Sequence, residues 1–181
     1  MSLKRKFANL MGWEAPLTTI DAGQTAPPFS LKSLDGKDYA LAHLLEKGPV
    51  VAAFFKVSCP VCQFTLPFLQ RLADRYSGDN ATVLTISQDD AKSTTSFNKE
   101  YGLKLLTLLD DPKDYRASNA YGLSMVPTIF LIEPDGKVKV SCMGFGKADL
   151  EQIAAELSTR RKIAAAPFFR PDEVIPATKP G

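Results

Sequence analysis

Residues 50–62 read VVAAFFKVSCPVC, and this stretch decides the fold. The first six residues are uniformly apolar and follow the turn residues Gly48-Pro49, a pattern typical of a strand buried on both faces. A helix is expected to begin at Cys59-Pro60, because proline is well tolerated at a first helical position. The stretch therefore predicts a central strand, a short turn, and a helix whose first turn carries Cys59 and Cys62.

The sequence on either side of this stretch alternates between strand and helix patterns. Turn signals at Asp35-Gly36 and Asp135-Gly136 each predict a β-hairpin. Helices are predicted over 41–46, 59–76, 89–101, 113–121 and 147–162, and strands over 28–31, 39–41, 81–87, 103–109, 127–133 and 137–143. Such an order predicts an α/β sandwich with a mixed sheet.

Length and composition restrict the class of protein. The chain has 181 residues, of which 45% are hydrophobic, and a formal net charge of +2. These values suit one domain with its own core and argue against intrinsic disorder. The small net charge gives no general attraction to nucleic acid, and no apolar run has the length of a membrane span. Three cysteines are too few for a disulfide framework.

Both ends differ in composition from the middle of the chain. We expect an N-terminal extension over 1–22, a domain over 23–162, and a proline-rich tail over 163–181 that is extended or disordered. Phe168-Phe169 are expected to fix the start of that tail to the domain. No signal peptide is evident, which favours the cytoplasm for the sequence as given, or an extracytoplasmic site if a leader has been removed.

The C-x-x-C spacing favours redox chemistry. Residues i and i+3 are neighbours on a helix, so the sulfurs of Cys59 and Cys62 can bond. Free N–H groups at the helix start favour a thiolate at Cys59, which would attack a disulfide, while Cys62 would resolve the mixed disulfide. Inert buried thiols and a metal site are the alternatives. A metal site is disfavoured because only Cys142 and His43 could add ligands, so no metal is expected.

The sequence resembles the thioredoxin superfamily, in particular its TlpA-like and redoxin (AhpC-TSA) branch. The resemblance is carried by 50–62, Pro67, 121–131 with its Val-Pro-Thr, the 135–138 turn with Gly144, the 23–31 opening, and the 89–109 segment. It implies a thioredoxin-like three-layer sandwich with an N-terminal β-hairpin and a central insertion. It also implies a thiol–disulfide oxidoreductase without a cofactor beyond a Cys59–Cys62 disulfide.

The same resemblance assigns the substrate site and the partners. Pro127 is expected to be a cis proline facing the cysteines, and Val126 to offer its backbone to a substrate peptide beside Pro60 and Val61. The expected partners are protein or small-molecule thiols and disulfides and an unidentified electron donor or acceptor. A monomer without nucleic acid or a transmembrane segment is expected.

The sequence also departs from the thioredoxin pattern. Ser58 stands where tryptophan is usual, Pro-Val separates the cysteines in place of Gly-Pro, and Ala53 replaces a buried aspartate that helps the second cysteine lose its proton. That step would need water, another carboxylate or the substrate.

The competing assignments are a thiol-dependent peroxidase of the AhpC/TSA type and a redox-silent binding module. The peroxidase spacing Pro-x-x-x-Thr/Ser-x-x-Cys fits neither cysteine. Cys142 is interpreted as a buried free thiol.

Overall fold

The computed structural model describes residues 18–76, 78, 80–162 and 166–181. The helices are α1 (Leu41–Leu45), α2 (Pro60–Tyr76), α3 (Ala91–Glu100), α4 (Arg116–Ala120) and α5 (Lys147–Arg161). The strands are β1 (Ser30–Ser33), β2 (Asp38–Ala40), β3 (Val50–Phe55), β4 (Thr82–Ser87), β5 (Leu106–Leu109), β6 (Thr128–Ile132), β7 (Val138–Met143), β8 (Phe145–Gly146) and β9 (Thr178–Lys179).

Seven of these strands form one mixed sheet in the order β2-β1-β5-β4-β3-β6-β7. Strand β3 lies inside the sheet, parallel to β4 and antiparallel to β6. Both predicted hairpins are present, since β1 pairs with β2 and β6 with β7 in antiparallel register. The mixed sheet of the predicted α/β fold is therefore confirmed.

The core has two halves, one on each face of the sheet. Along β3 the side chains alternate: Ala53 and Phe55 lie on the face covered by α2 and α5, and Phe54 on the opposite face with α1 and α4. All six residues of β3 are fully buried, as a strand covered on both faces must be. This three-layer packing confirms the fold expected from the sequence.

Two predicted elements begin three residues later in the structure. Strand β5 begins at Leu106 rather than at Leu103, because its pairing with β4 starts at Leu84–Leu106. Helix α4 begins at Arg116, since Tyr115 takes a left-handed conformation (φ 47°) directly before it. The carboxylate of Asp110 caps this helix by accepting hydrogen bonds from the backbone N–H groups of Ala117 (3.1 Å) and Ser118 (2.8 Å).

The segments outside the central domain make specific contacts with it where they are described. Ile20 donates its N–H to the Tyr121 carbonyl, and Thr19 donates from Oγ1 to the Gly122 carbonyl at 2.9 Å. Most of the predicted N-terminal extension (residues 1–17) and the first three tail residues (163–165) lie outside the described residues. The described part of the tail turns at 170–173, adds β9 to β8, and buries Phe168 and Phe169, which confirms their predicted contact with the domain.

Within the part of the chain that the structure describes, no helix is both long enough and apolar enough to cross a membrane.

Candidate active site

The turn between β3 and α2 is held by two side chains from outside it. Asp89 accepts a hydrogen bond from the Val57 N–H (Oδ2, 2.8 Å), and Gln63 donates from Nε2 to the Val57 carbonyl (3.0 Å). Within the turn, the Cys59 N–H donates to the Lys56 carbonyl at 3.2 Å. Because both polar groups of Val57 are satisfied, the backbone leading into Cys59 has a defined conformation.

Sequence reasoning missed Asp89 and Gln63. A signal for Asp89 existed, because parallel strands end at the same edge of a sheet and Asp89 lies just after β4, the parallel neighbour of β3. Gln63 gave no comparable signal, since its bond to Val57 depends on the path of the turn.

Cys59 lies at the start of α2 and connects it to the loop before β6. Its Sγ accepts a hydrogen bond from the Cys62 N–H at 3.2 Å, as expected at a helix N-terminus where backbone donors lack helical partners. The same Sγ donates to the Val126 carbonyl at 3.3 Å. Backbone groups on two sides position the Cys59 sulfur, and the residue as a whole is half-buried.

The Val126-Pro127 peptide bond is cis, as the resemblance implied. Pro127 is buried and Val126 half-buried. The Pro127 carbonyl accepts the Gly144 N–H at 2.7 Å, which ties the loop to the end of β7. Since the Val126 carbonyl meets Cys59, the structure brings the predicted loop to the C-x-x-C turn, beside exposed Pro60 and half-buried Val61.

Cys62 differs sharply from Cys59 in its environment. Its side chain is fully buried in the core beneath the turn, together with Ala53 of β3. Burial raises the pKa of the Cys62 thiol far above that of a free cysteine, and the contact with Cys59 and the negative charge of Asp89 raise it further. Cys62 is therefore a neutral thiol in the reduced protein at physiological pH, and it must lose a proton before it can act as a nucleophile.

Cys142 is the third cysteine and lies in β7. It is 2% exposed, and burial raises the pKa of its thiol to about 12. Its Sγ lies 3.7 Å from the Gly144 carbonyl, to which it donates. These features agree with the interpretation of Cys142 as a buried free thiol.

We expect the three thiols to react at very different rates with iodoacetamide. At pH 8 the reduced native protein should gain one adduct rapidly, at Cys59, because a raised pKa lowers the thiolate fraction of the other two thiols about tenfold per unit. Peptide mass spectrometry after timed quenching measures this order. In denaturant all three should react at similar rates, which provides the control. Rapid native labelling of Cys62 would contradict the assigned environments.

Comparison with known proteins places this site in a family. A family model described as the AhpC/TSA family matches residues 22–141. The chain belongs to the AhpC/TSA family. Among its relatives is the thiol-disulfide oxidoreductase ResA of Geobacillus thermodenitrificans, 31% identical over 137 residues, which cover 75% of this chain and 77% of the relative. ResA of Bacillus subtilis is 31% identical over 121 residues, or 66% of each chain.

Solved structures of other thiol–disulfide proteins share the fold. A putative thioredoxin from Neisseria meningitidis is 29% identical with a TM-score of 0.64, over 78% of this chain and 92% of its own. A putative thiol:disulfide interchange protein DsbE from Chlorobium tepidum has a TM-score of 0.68 at 24% identity, over 78% and 99%. This member of the AhpC/TSA family is a thiol–disulfide oxidoreductase with a thioredoxin-like fold, as the sequence predicted.

Proposed function

We propose that Cys59 is the nucleophile and Cys62 the resolving thiol of a two-electron disulfide exchange. The observation that carries this proposal is the contrast between the two sulfurs. Cys59 Sγ is half-buried and lies 3.2 Å from the Cys62 N–H at the helix start, whereas Cys62 is fully buried and protonated below it. The partly exposed Cys59 sulfur is therefore the one that a substrate disulfide can reach, and the buried Cys62 thiol is placed to follow it.

In the reducing direction, the Cys59 thiolate attacks one sulfur of a substrate disulfide. The substrate S–S bond breaks, a mixed disulfide with Cys59 forms, and the first substrate thiolate leaves. Cys62 then loses its proton and attacks the Cys59 sulfur, releasing the second substrate thiolate. The substrate gains two electrons and becomes two thiols, taking one proton from Cys62 and one from water, and the protein is left with a Cys59–Cys62 disulfide.

The proton on Cys62 controls the second step. The Ala53 side chain has no carboxylate that could accept this proton, so the proton must leave Cys62 by another route. The Asp89 carboxylate is close enough for its charge to affect Cys62, and its Oδ2 is already engaged with the Val57 N–H. The departing substrate thiolate is therefore the natural proton acceptor, because it is generated at Cys59 at the moment when Cys62 must react.

Val126 and Pro127 form the substrate-binding side of the site, with Pro60 and Val61 on the other side. Proline has no N–H, so this loop cannot pair fully with its own sheet and leaves backbone groups for an extended peptide. We propose protein disulfides as the main substrates, with a thiol partner that returns the electrons. The redox-active disulfide is the only cofactor proposed, and the compartment stays a prediction from the sequence.

A Cys62→Ser variant tests the assignment of the two roles. Without the resolving thiol, a mixed disulfide on Cys59 should accumulate when the reduced variant meets insulin, visible as a shifted band on a non-reducing gel that dithiothreitol removes. Cys142→Ala is the matched control and should give no trapped adduct. Trapping on Cys62 in a Cys59→Ser variant, with none in Cys62→Ser, would reverse the assignment. Peroxide consumption faster than insulin reduction would favour the peroxidase alternative.

A further inference from the structure

The C-terminal tail returns across the face of the domain that carries the active site. Phe168 and Phe169 are each 5% exposed. The Phe169 ring lies 5.2 Å from Phe68 of α2 and 6.1 Å from Phe145 of β8, measured between ring centroids. The start of the tail is therefore held by the same aromatic core that supports α2 below the cysteines.

A partly buried ion pair holds the next part of the tail. Arg71 of α2 makes two parallel hydrogen bonds to Glu173, at 2.6 and 2.9 Å, and Arg71 also donates to the Phe168 carbonyl at 3.3 Å. The Arg71 guanidinium lowers the pKa of Glu173 to about 2, so the pair is charged at neutral pH. A bidentate pair of this kind fixes orientation as well as distance.

Near its end the tail forms strand β9, which pairs with β8. Strand β9 is antiparallel to β8, with Lys179 opposite Phe145, and the Lys147 N–H donates to the Ala177 carbonyl at 2.9 Å. The Lys179 ammonium lies 5.0 Å from the ring centre of Phe64, a residue on α2 two positions after Cys62. The tail thus contributes both backbone pairing and a cation–π contact beside the redox turn.

This strand leads to the carbonyl that contacts Cys59. Gly181 packs so closely on the Val126 carbonyl that a Cβ on residue 181 would overlap its oxygen, and a Cβ on Gly144 would overlap the Lys179 carbonyl. The Val126 oxygen is also the acceptor for the Cys59 thiol. A second polypeptide cannot occupy the same side of Val126 while residues 178–181 are in place.

We infer that residues 176–181 occupy the groove in which an extended polypeptide substrate docks, so that a protein partner must displace them. This inference rests on the proposed function. The displaced segment also indicates the chemistry of the partner: an extended strand with small residues beside Val126 and a basic side chain over Phe64. Binding by strand addition matches the exposed edge that β8 presents once β9 leaves.

The contacts that hold the tail are strong at its start and weak over β9, so residues 176–181 can be displaced. The two aromatic side chains and the Arg71–Glu173 pair hold the start of the tail, whereas β9 has only two residues and Thr178 is exposed. Two-residue pairing is weak by itself. Residues 176–181 can therefore release while residues 168–173 stay bound.

A chain that ends after Ile175 tests this inference, because it keeps the aromatic residues and Glu173. Its rate of insulin disulfide reduction with dithiothreitol should exceed that of the full chain by about fivefold to thirtyfold, since the apparent affinity for a partner scales with the fraction of open grooves. Reduction of bis(2-hydroxyethyl) disulfide, a small probe, should change by less than about twofold because it needs no strand groove. A synthetic peptide of residues 174–181 should lower the insulin rate of the shortened chain.

Lys179→Glu provides a second variant that keeps the chain whole, with Lys37→Glu in the remote β1–β2 turn as its charge-matched control. Lys179→Glu should raise the insulin rate, and Lys37→Glu should leave it unchanged. Equal insulin rates for the full chain, the shortened chain and Lys179→Glu would overturn the inference while leaving the proposed function intact. Absence of disulfide exchange in every form, including the full chain, would overturn the proposed function itself.

Discussion

Replacing Cys59 by serine is expected to abolish disulfide exchange, with a fall in the insulin reduction rate of about a thousandfold or more. The serine hydroxyl can still accept the Cys62 N–H and donate to the Val126 carbonyl, the two contacts of the native sulfur. The fold and the position of the side chain should therefore persist. The reaction is lost because an alcohol is essentially un-ionised at neutral pH and cannot form a mixed disulfide.

The other two cysteines provide graded controls for this result. Cys142→Ala should retain nearly all activity, because that thiol is buried in β7 and its 3.7 Å contact to the Gly144 carbonyl is weak. Cys62→Ser should not turn over, but in each protein molecule Cys59 should still attack one substrate disulfide. Activity of Cys59→Ser above about one per cent of the native rate, with its far-UV circular dichroism unchanged, would contradict the nucleophile assignment.

The parts of the fold that the sequence predicted correctly are those governed by local patterns. The uniform apolar run of β3 and the two Asp-Gly turns depend on neighbours within a few residues. The start of α2 at Pro60 follows from the same local chemistry. The cis bond at Val126-Pro127 was a different case: nothing in the dipeptide requires it, and only the resemblance to a known family indicated it.

The parts that sequence reasoning missed depend on contacts between distant segments. Glu173 lies 102 residues from Arg71, and Asp89 lies 32 residues from Val57. No periodicity or spacing encodes the Arg71–Glu173 pair, because it exists only once the tail has packed on α2. The position of Asp89 just after β4 placed it near the turn, but it did not specify the hydrogen bond to Val57. The proline-rich composition predicted an extended or disordered tail, but it carried no information about the β8 edge on which β9 lies.

Phe54→Ala is expected to lower the free energy of unfolding by about 3–5 kcal/mol, a large share of the roughly 5–15 kcal/mol available to a domain. Phe54 is fully buried in β3, with ring centroids of Tyr121 at 5.0 Å and Phe130 at 6.1 Å. Its loss leaves a cavity in the half of the core that faces α1 and α4. Urea unfolding followed by fluorescence measures the change as a lower midpoint.

Two further variants test whether the loss in the free energy of unfolding comes from the cavity or from substitution in general. Val174→Ala changes a side chain that is 99% exposed and should shift the free energy of unfolding by less than about 0.5 kcal/mol. Phe54→Leu keeps most of the volume and should cost less than Phe54→Ala. A loss below about 1 kcal/mol for Phe54→Ala would contradict the packing described.

The same substitution also separates stability from redox chemistry. Phe54 and Phe55 are adjacent, but only Phe55 lies in the core half that contains Cys62. Phe54→Ala should therefore leave the alkylation rate of Cys59 in the folded protein nearly unchanged. Phe55→Ala, which removes a ring 5.3 Å from Phe97 on the cysteine side, should cost similar stability and also make Cys62 more reactive. If the two variants change the alkylation rate of Cys62 equally, packing on the opposite face of the sheet also controls the reactivity of the site.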